Sequence, residues 1–217
     1  MKTILYGNTG TVNVQRLQDE IEKENRKVFT IHINASSSFD ALKSGLQELR
    51  TAEVEYTDLI IDSYDKLEPL IFKKIVHDTS NSSGVKVESI EHVDGGYQKG
   101  YVRSREMLSS VLSWIDVSIV QKMNIKVWII SGADMVEFKN PFGIIYNKFT
   151  LRCNKVLSPA LESWADNIYF VAEPGLFDPA SASDHTDVFV KPSLAYLSKN
   201  SNGDKFKTNK VLLSDIV

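Results

Sequence analysis

The chain has 217 residues, of which 42% are hydrophobic and 24% are charged, so it can build one sizeable core like an ordinary folded soluble protein. Its formal net charge of -3 excludes a global bias toward nucleic acid or anionic membrane, and only a local basic patch could supply such contacts. The single cysteine, Cys153, excludes an intrachain disulfide and a cysteine-rich metal site, in agreement with a reducing cytoplasm. We therefore expect a single domain over residues 1–217.

The N-terminal half of the sequence alternates strand and helix patterns. Residues 2–6 form an apolar run that predicts a strand, and this run is too short for a signal or membrane segment. A glycine-bearing loop follows at residues 7–11, and Val14, Leu17 and Ile21 then have helical spacing. Residues 28–33 predict a second strand and residues 39–50 a second helix. This βαβα order predicts an α/β fold with a mostly parallel central sheet and helices on both faces.

The second half of the chain adds three more buried-strand patterns. These patterns lie at residues 59–61, 126–131 and 167–171. Between the first two of them, residues 78–101 are rich in Ser, Gly, Asn and Asp and predict a long loop, followed by a helix over residues 103–122. Residues 174–186 predict another loop. A less regular, lysine-rich segment begins at about residue 191; a solvated tail, a phosphate contact and packing against a neighbouring subunit are its alternative roles.

The loop after the first strand lies where a phosphate-binding loop belongs. It keeps Gly7 and Gly10, but Val12 stands where a third glycine is expected. A working loop then supplies a lysine that neutralises phosphate oxygens and a Ser or Thr that ligates magnesium. Asn13 and Val14 occupy those two positions, so the sequence predicts a degenerate nucleotide site. The alternative is that the two glycines only permit a tight turn between strand and helix.

Asp62 directly follows the third apolar strand. An acid at this position is typical of a Walker B motif, although aspartate also ends strands in many α/β proteins. The four histidines lie far apart in the sequence without the spacing of metal ligands. We expect no metal site.

Four segments together resemble one family. Residues 59–67, ending in Asp-Ser-Tyr-Asp-Lys-Leu, resemble the Walker B strand of phage-encoded RecA-like P-loop proteins, the single-strand annealing ATPases. Residues 95–101, Gly-Gly-Tyr-Gln-Lys-Gly-Tyr, are similar to a Gly-Tyr-Gly-Lys-Gly-Tyr segment of that family, and residues 131–141 and 165–170 resemble its sensor strand and a late Ala-Asp strand. The resemblance implies a RecA-like P-loop fold and a role in phage DNA recombination or replication in the host cell cytoplasm.

The departures from the family concern its catalytic parts. Ala133 stands near the place of a polar sensor residue, no carboxylate follows the second strand, and residues 197–202 lack the family's arginine. Together with Asn13 and Val14, these changes predict a pseudo-ATPase without catalytic residues and without a bound cofactor. The open alternative is a weak ATPase that uses ATP and magnesium, with Lys2, Lys99 or Lys199 replacing the missing lysine.

A basic and aromatic cluster lies in the segment most similar to the family. Its members are Tyr97, Lys99, Tyr101, Arg103 and Arg105. Aromatic rings that stack on bases, beside cations that contact phosphates, are typical of proteins that bind single strands. The cluster therefore predicts single-stranded DNA binding, and the alternative is an ordinary solvated loop.

These patterns favour a RecA-like, catalytically degenerate protein. We expect it to bind single-stranded DNA, to assemble into a homo-oligomer or with a related phage recombination or replication protein, and to have no membrane partner. A different class of function stays open: a structural or interaction module that keeps the fold but binds neither nucleotide nor DNA.

Overall fold

The computed structural model describes residues 1–34, 36–84, 86–177, 186–201 and 203–217. Its strands are β1 (Lys2–Gly7), β2 (Val28–His32), β3 (Asp58–Asp62), β4 (Lys126–Lys139), β5 (Ile145–Leu151), β6 (Asn167–Ala172), β7 (Asp187–Phe189), β8 (Lys199–Asn200) and β9 (Lys210–Val211). Its α-helices are α1 (Val14–Lys23), α2 (Phe39–Thr51), α3 (Tyr64–Ser83), α4 (Lys99–Ile115) and α5 (Ser158–Trp164).

The strands form one central sheet in the order β2-β3-β4-β1-β6-β7-β9, with β5 paired to β4 and β8 to β6. The five strands from β2 to β6 in this order are parallel, and the others are antiparallel additions. β1 lies between β4 and β6 in the parallel part, so that Gly7 is opposite Gly132 on one side and Val171 on the other. The loop that follows β1 therefore leaves the sheet between two neighbouring strands.

Side chains of successive residues in the sheet enter two separate hydrophobic clusters. Ile4 and Tyr6 belong to a cluster that includes residues of α2, α3, α4 and α5, whereas Leu5 belongs to a cluster with Leu17 and Ile21 of α1. The C-terminal residues Leu213 and Ile216 complete the second cluster. Because helices cover both faces of the sheet, the parallel strands have continuous apolar sequences. The predicted α/β fold with a mostly parallel sheet and helices on both faces is confirmed.

The predicted long loop over residues 78–101 is wrong over most of its length. Helix α3 continues to Ser83, because its polar residues form hydrogen bonds within the helix. The hydroxyl of Thr79 donates to the carbonyl of Ile75, and that of Ser80 donates to the carbonyl of Val76. The helix ends at Gly84, which has a left-handed φ of 68°. A short 3₁₀ segment, Ile90–Gly95, then leads into α4, which begins at Lys99 rather than at residue 103.

Other predicted boundaries also move. β4 continues beyond residue 131 into a hairpin with β5, and a π-helical segment, Asp116–Gln121, extends α4. Within the predicted loop 174–186, residues 178–185, including His185, lie outside the described part of the chain. Among the helices that the structure describes, none is both long and apolar enough to cross a membrane.

The lysine-rich C-terminal segment is tied to the sheet. Lys199 starts β8, and its ammonium group donates to the carbonyls of Glu162 (2.9 Å) and Ala165 (2.5 Å). Lys210 starts β9 and forms an ion pair with Asp187 at 3.4 Å. At these two positions the lysines have structural partners in this chain.

Candidate nucleotide and nucleic-acid site

The loop after β1 has the backbone shape of a tight turn. A Cβ on Gly7 would overlap the Thr11 side chain and the Val171 carbonyl, and Gly10 has a φ of 90° that favours glycine. The turn is closed by Thr11, whose amide and hydroxyl both donate to the carbonyl of Asn8 at 3.0 and 2.7 Å. A small cavity of about 10 Å³ lies beside the loop, under the start of α1.

Asn13 and Val14 have structural roles at the start of α1. Asn13 is the N-cap residue, and its Oδ1 accepts a hydrogen bond from the backbone amide of Arg16 at 3.1 Å. Val14 packs against the hydrophobic cluster that contains Leu17. The side chain of Arg16 in turn donates to Thr186 Oγ1 at 2.7 Å. Asn13 and Val14, which stand in place of the missing lysine and hydroxyl, therefore stabilise the N-terminal end of α1.

Asp62 lies at the carboxyl end of β3, opposite His32 on β2. Its Oδ2 accepts a hydrogen bond from His32 Nδ1 at 3.2 Å, and the two side chains are 22% and 66% exposed. The histidine therefore ends the second strand and contacts the candidate Walker B acid directly.

A second polar cluster lies at the same edge of the sheet, around Gly132. The amide of Gly132 donates to both oxygens of Asp65 (2.8 and 3.0 Å), and Ser131 Oγ donates to Asp65 Oδ1 at 3.1 Å. Arg152 Nη1 lies 3.7 Å from Asp65, while Arg152 Nε donates to Asp134 at 3.0 Å. Arg152 is thus a cation close to Gly132, the residue of β4 that lies opposite Gly7. The carboxylates of Asp65 and Asp134 already pair with it.

The three lysines proposed as replacements have other partners. Lys2 lies at the opposite end of β1 from the loop, about 17 Å away at roughly 3.3 Å per residue, and pairs with Asp116 and Asp166. Lys199 donates to two carbonyls, as described above. Lys99 donates to the carbonyl of Asp94 at 3.0 Å.

These residues do not fit ATP and magnesium. Asn13 brings no charge, Val14 has no ligand atom, and Asp62 is hydrogen-bonded to His32. In the described part of the chain, no group of three or more His, Cys, Asp or Glu residues could hold a metal ion.

The fold divides the basic and aromatic cluster into an exposed part and a half-buried part. Tyr97 is 95% exposed, and Lys99 and Arg105 are exposed. By contrast, Tyr101 packs edge-on against Phe72 (ring centroids 5.6 Å apart) and donates to Glu91. Arg103 donates to Thr79 and pairs with Asp94 at 3.1 Å. The burial of Tyr101 against α3 and its proximity to Glu91 raise the pKa of its hydroxyl.

The backbone that presents Tyr97 is unusual. Asp94, Gly95, Gly96, Tyr97 and Gln98 all have positive φ, between 53° and 88°. Three of these five are not glycine, and left-handed conformations cost such residues free energy. The strained turn holds the Tyr97 ring out into solvent, directly before α4.

The sequence profile of the AAA domain family matches residues 8–202 of the chain. The chain belongs to the AAA domain family. No curated protein matches this AAA domain protein in sequence.

Two solved structures are similar to this AAA domain protein. A KaiC-like protein from the hyperthermophilic archaeon Pyrococcus horikoshii OT3 is 11% identical, with a TM-score of 0.48 over 96% of this chain and 83% of that chain. The RadB recombinase is 13% identical, with a TM-score of 0.41 over 87% and 86% of the two chains. In the AAA domain protein itself, β4 separates the strand of the glycine loop from the strand of Asp62.

Sequence reasoning about the AAA domain protein missed Arg152 and the contact between His32 and Asp62. Arg152 lies 87 residues after Asp65 and carries no local motif, so only the β4–β5 hairpin brings the two together. The pairing of His32 with Asp62 follows from the parallel register of β2 and β3. That register could have been expected once both strands had been predicted.

Proposed function

We propose that this AAA domain protein is a pseudo-ATPase that binds single-stranded DNA and assembles with copies of itself or a related protein. The setting we propose is phage DNA recombination or replication, as the resemblance implies. The observation that carries the loss of hydrolysis is the use of Asn13 as the cap of α1. A side chain that satisfies a helix amide is not available to neutralise phosphate oxygens, and an amide has no charge for that task.

The DNA-binding part of the proposal is supported by Tyr97. Its ring is almost wholly exposed beside the exposed cations Lys99 and Arg105, on a backbone strained into the left-handed region. Stacking of one base on an aromatic ring contributes roughly 1–3 kcal/mol, and nearby cations add a salt-dependent attraction to phosphates. Tyr101 and Arg103 are half-buried and have partners beside the segment, Glu91 and Asp94, so Tyr97 is the residue on which the proposal depends most.

A thermal-shift assay with two ligands tests the proposal against its alternatives. We expect an unlabelled single-stranded oligonucleotide to raise the melting temperature, less so at high salt, and millimolar ATP with magnesium to leave it unchanged. Tyr97→Ala should remove roughly 1–3 kcal/mol of DNA binding. Tyr101→Phe is the matched control, because it keeps the ring on Phe72 and should bind DNA like the unaltered protein.

The other outcomes of the assay identify the competing functions. A shift with ATP and magnesium, accompanied by turnover, would mean a weak ATPase. No shift with either ligand would mean a structural or interaction module. Asn13→Ala adds an independent reading: as a helix cap it should cost about 1 kcal/mol of stability, whereas Asn13→Asp, which can still cap, should cost less.

A further inference from the structure

Lys126, the first residue of β4, is a half-buried cation without a contacting partner. Six lysines in the described part of the chain are half-buried rather than exposed. Five of them contact a carboxylate, a carbonyl oxygen or an aromatic ring, namely Lys2, Lys74, Lys148, Lys191 and Lys199. The ammonium group of Lys126 has no hydrogen bond, ion pair or ring contact with the described residues. A partly desolvated charge of this kind is costly unless an opposite charge approaches it.

Asp58 lies directly opposite Lys126 in the parallel register of β3 and β4. Its two carboxylate oxygens already accept four hydrogen bonds, two from Arg26, one from Trp128 and one from Thr57. A carboxylate offers about four acceptor positions, so these donors occupy all of them. Asp58 therefore attracts Lys126 without pairing with it.

The other charges that act on Lys126 are positive. Burial lowers the pKa of Lys126, and Arg26 and Lys205 lower it as well, whereas Asp58 opposes them. Lys205 is exposed, and its ammonium group contacts two uncharged groups, the carbonyl of Asp215 at 3.5 Å and the ring of Phe206 at 5.1 Å. Three positive charges thus face one negative charge at this end of the sheet.

We propose that Lys126, Arg26 and Lys205 bind a phosphate group with about two negative charges, either inorganic phosphate or a phosphate monoester. Such a group carries roughly −1.5 to −2 charges at pH 7, which matches the positive excess, and its oxygens accept hydrogen bonds from lysine and arginine. Gly132, the residue of β4 opposite the glycine loop, is six residues from Lys126, about 20 Å at roughly 3.3 Å per residue. The phosphate site is therefore separate from the candidate nucleotide site and goes beyond the proposed function.

Thermal unfolding in sodium phosphate and in sodium chloride, at equal pH and ionic strength, tests this site. We expect phosphate to raise the melting temperature by about 3–6 °C once its concentration exceeds the dissociation constant about tenfold. Lys126→Gln should lose this rise, and Lys126→Arg should keep most of it, because a guanidinium group also binds phosphate. Lys139→Gln is the matched control, since Lys139 is an exposed lysine at the other end of the same strand.

The comparison of variants separates binding from the general stabilising effect of phosphate, which acts on all of them alike. In chloride, Lys126→Gln should melt at the same temperature as the unaltered protein or higher, because it removes a partly desolvated charge that two cations repel. A lower melting temperature in chloride would show that Lys126 is a structural residue and would overturn the proposal. An equal response to phosphate in Lys126→Gln and the unaltered protein would also overturn it.

Two oligonucleotides of one sequence, with a 5′-phosphate or a 5′-hydroxyl, identify the source of the phosphate. A larger rise in melting temperature with the 5′-phosphate, lost in Lys126→Gln, would assign the site to the end of a nucleic-acid strand. Equal rises, together with the response to inorganic phosphate, would assign it to a small phosphate compound. Tyr97→Ala should leave the response to inorganic phosphate unchanged, so the phosphate site and the single-strand site are tested separately.

Discussion

At the first residue of β3, the buried carboxylate of Asp58 accepts hydrogen bonds from three other side chains. Arg26 donates to both of its oxygens, Trp128 Nε1 donates at 2.8 Å, and Thr57 Oγ1 donates at 2.8 Å. Asp58 is fully buried and the Arg26 side chain is only 15% exposed. Breaking such a pair from one side leaves an uncompensated charge, so we expect Asp58→Ala to lower the free energy of unfolding by about 3–5 kcal/mol.

Urea denaturation of Asp58→Ala measures this loss directly. Glu20→Ala is the comparison, because it removes the surface ion pair with Lys23, whose side chain is 65% exposed, and should cost less than about 1 kcal/mol. Equal losses in the two variants would show that the buried pair has no special role. Nothing in the local sequence marks Asp58 as a buried acid, since two of its three partners, Arg26 and Trp128, are distant in sequence and meet it only in the folded sheet.

At the scale of elements, the approach of α4 to the 3₁₀ segment before it depends on Gly100. A Cβ at this position would overlap the backbone carbonyl of Ile90, which cannot move as a flexible side chain can. We expect Gly100→Ala to destabilise the protein by roughly 1–3 kcal/mol, the usual cost of overpacking. In α2, a Cβ on Gly45 would meet the Ile31 side chain at 3.1–3.4 Å and no backbone atom, so Gly45→Ala should cost less than Gly100→Ala. Thermal unfolding of both variants compares them, and equal tolerance would contradict the predicted clash.

The helices and strands also differ in how well the sequence predicts them. The strands and helices with regular apolar spacing, such as β3 and α2, were predicted within about two residues, because one buried face requires that spacing. The polar residues at the end of α3 and the left-handed turn before α4 gave no such signal. The loop after β1 could be located by its glycines, but the contact of Asp62 depends on strand register and that of Arg152 on a hairpin distant in sequence.

At the scale of the whole molecule, stability at high pH depends on tyrosines buried on both faces of the sheet. Burial raises the pKa of Tyr6 and Tyr64 above the usual value of 10, and it raises that of Tyr169 to about 12. Above pH 10 the unfolded chain releases these protons while the folded protein retains them. The free energy of unfolding therefore has its full value below pH 10 and falls as the pH rises. Each such tyrosine contributes a slope of about 1.4 kcal/mol per pH unit.

We therefore expect the urea midpoint to fall steeply between pH 10 and 11. Tyr169→Phe should make this fall less steep, because one buried hydroxyl fewer loses its proton on unfolding. The change in slope should correspond to about one proton. Tyr97→Phe is the matched control, because the Tyr97 ring is 95% exposed in the folded protein, and this variant should leave the slope unchanged. A midpoint that stays constant to pH 11, or a slope that Tyr97→Phe changes as much as Tyr169→Phe, would contradict the assignment of the alkaline transition to the buried rings.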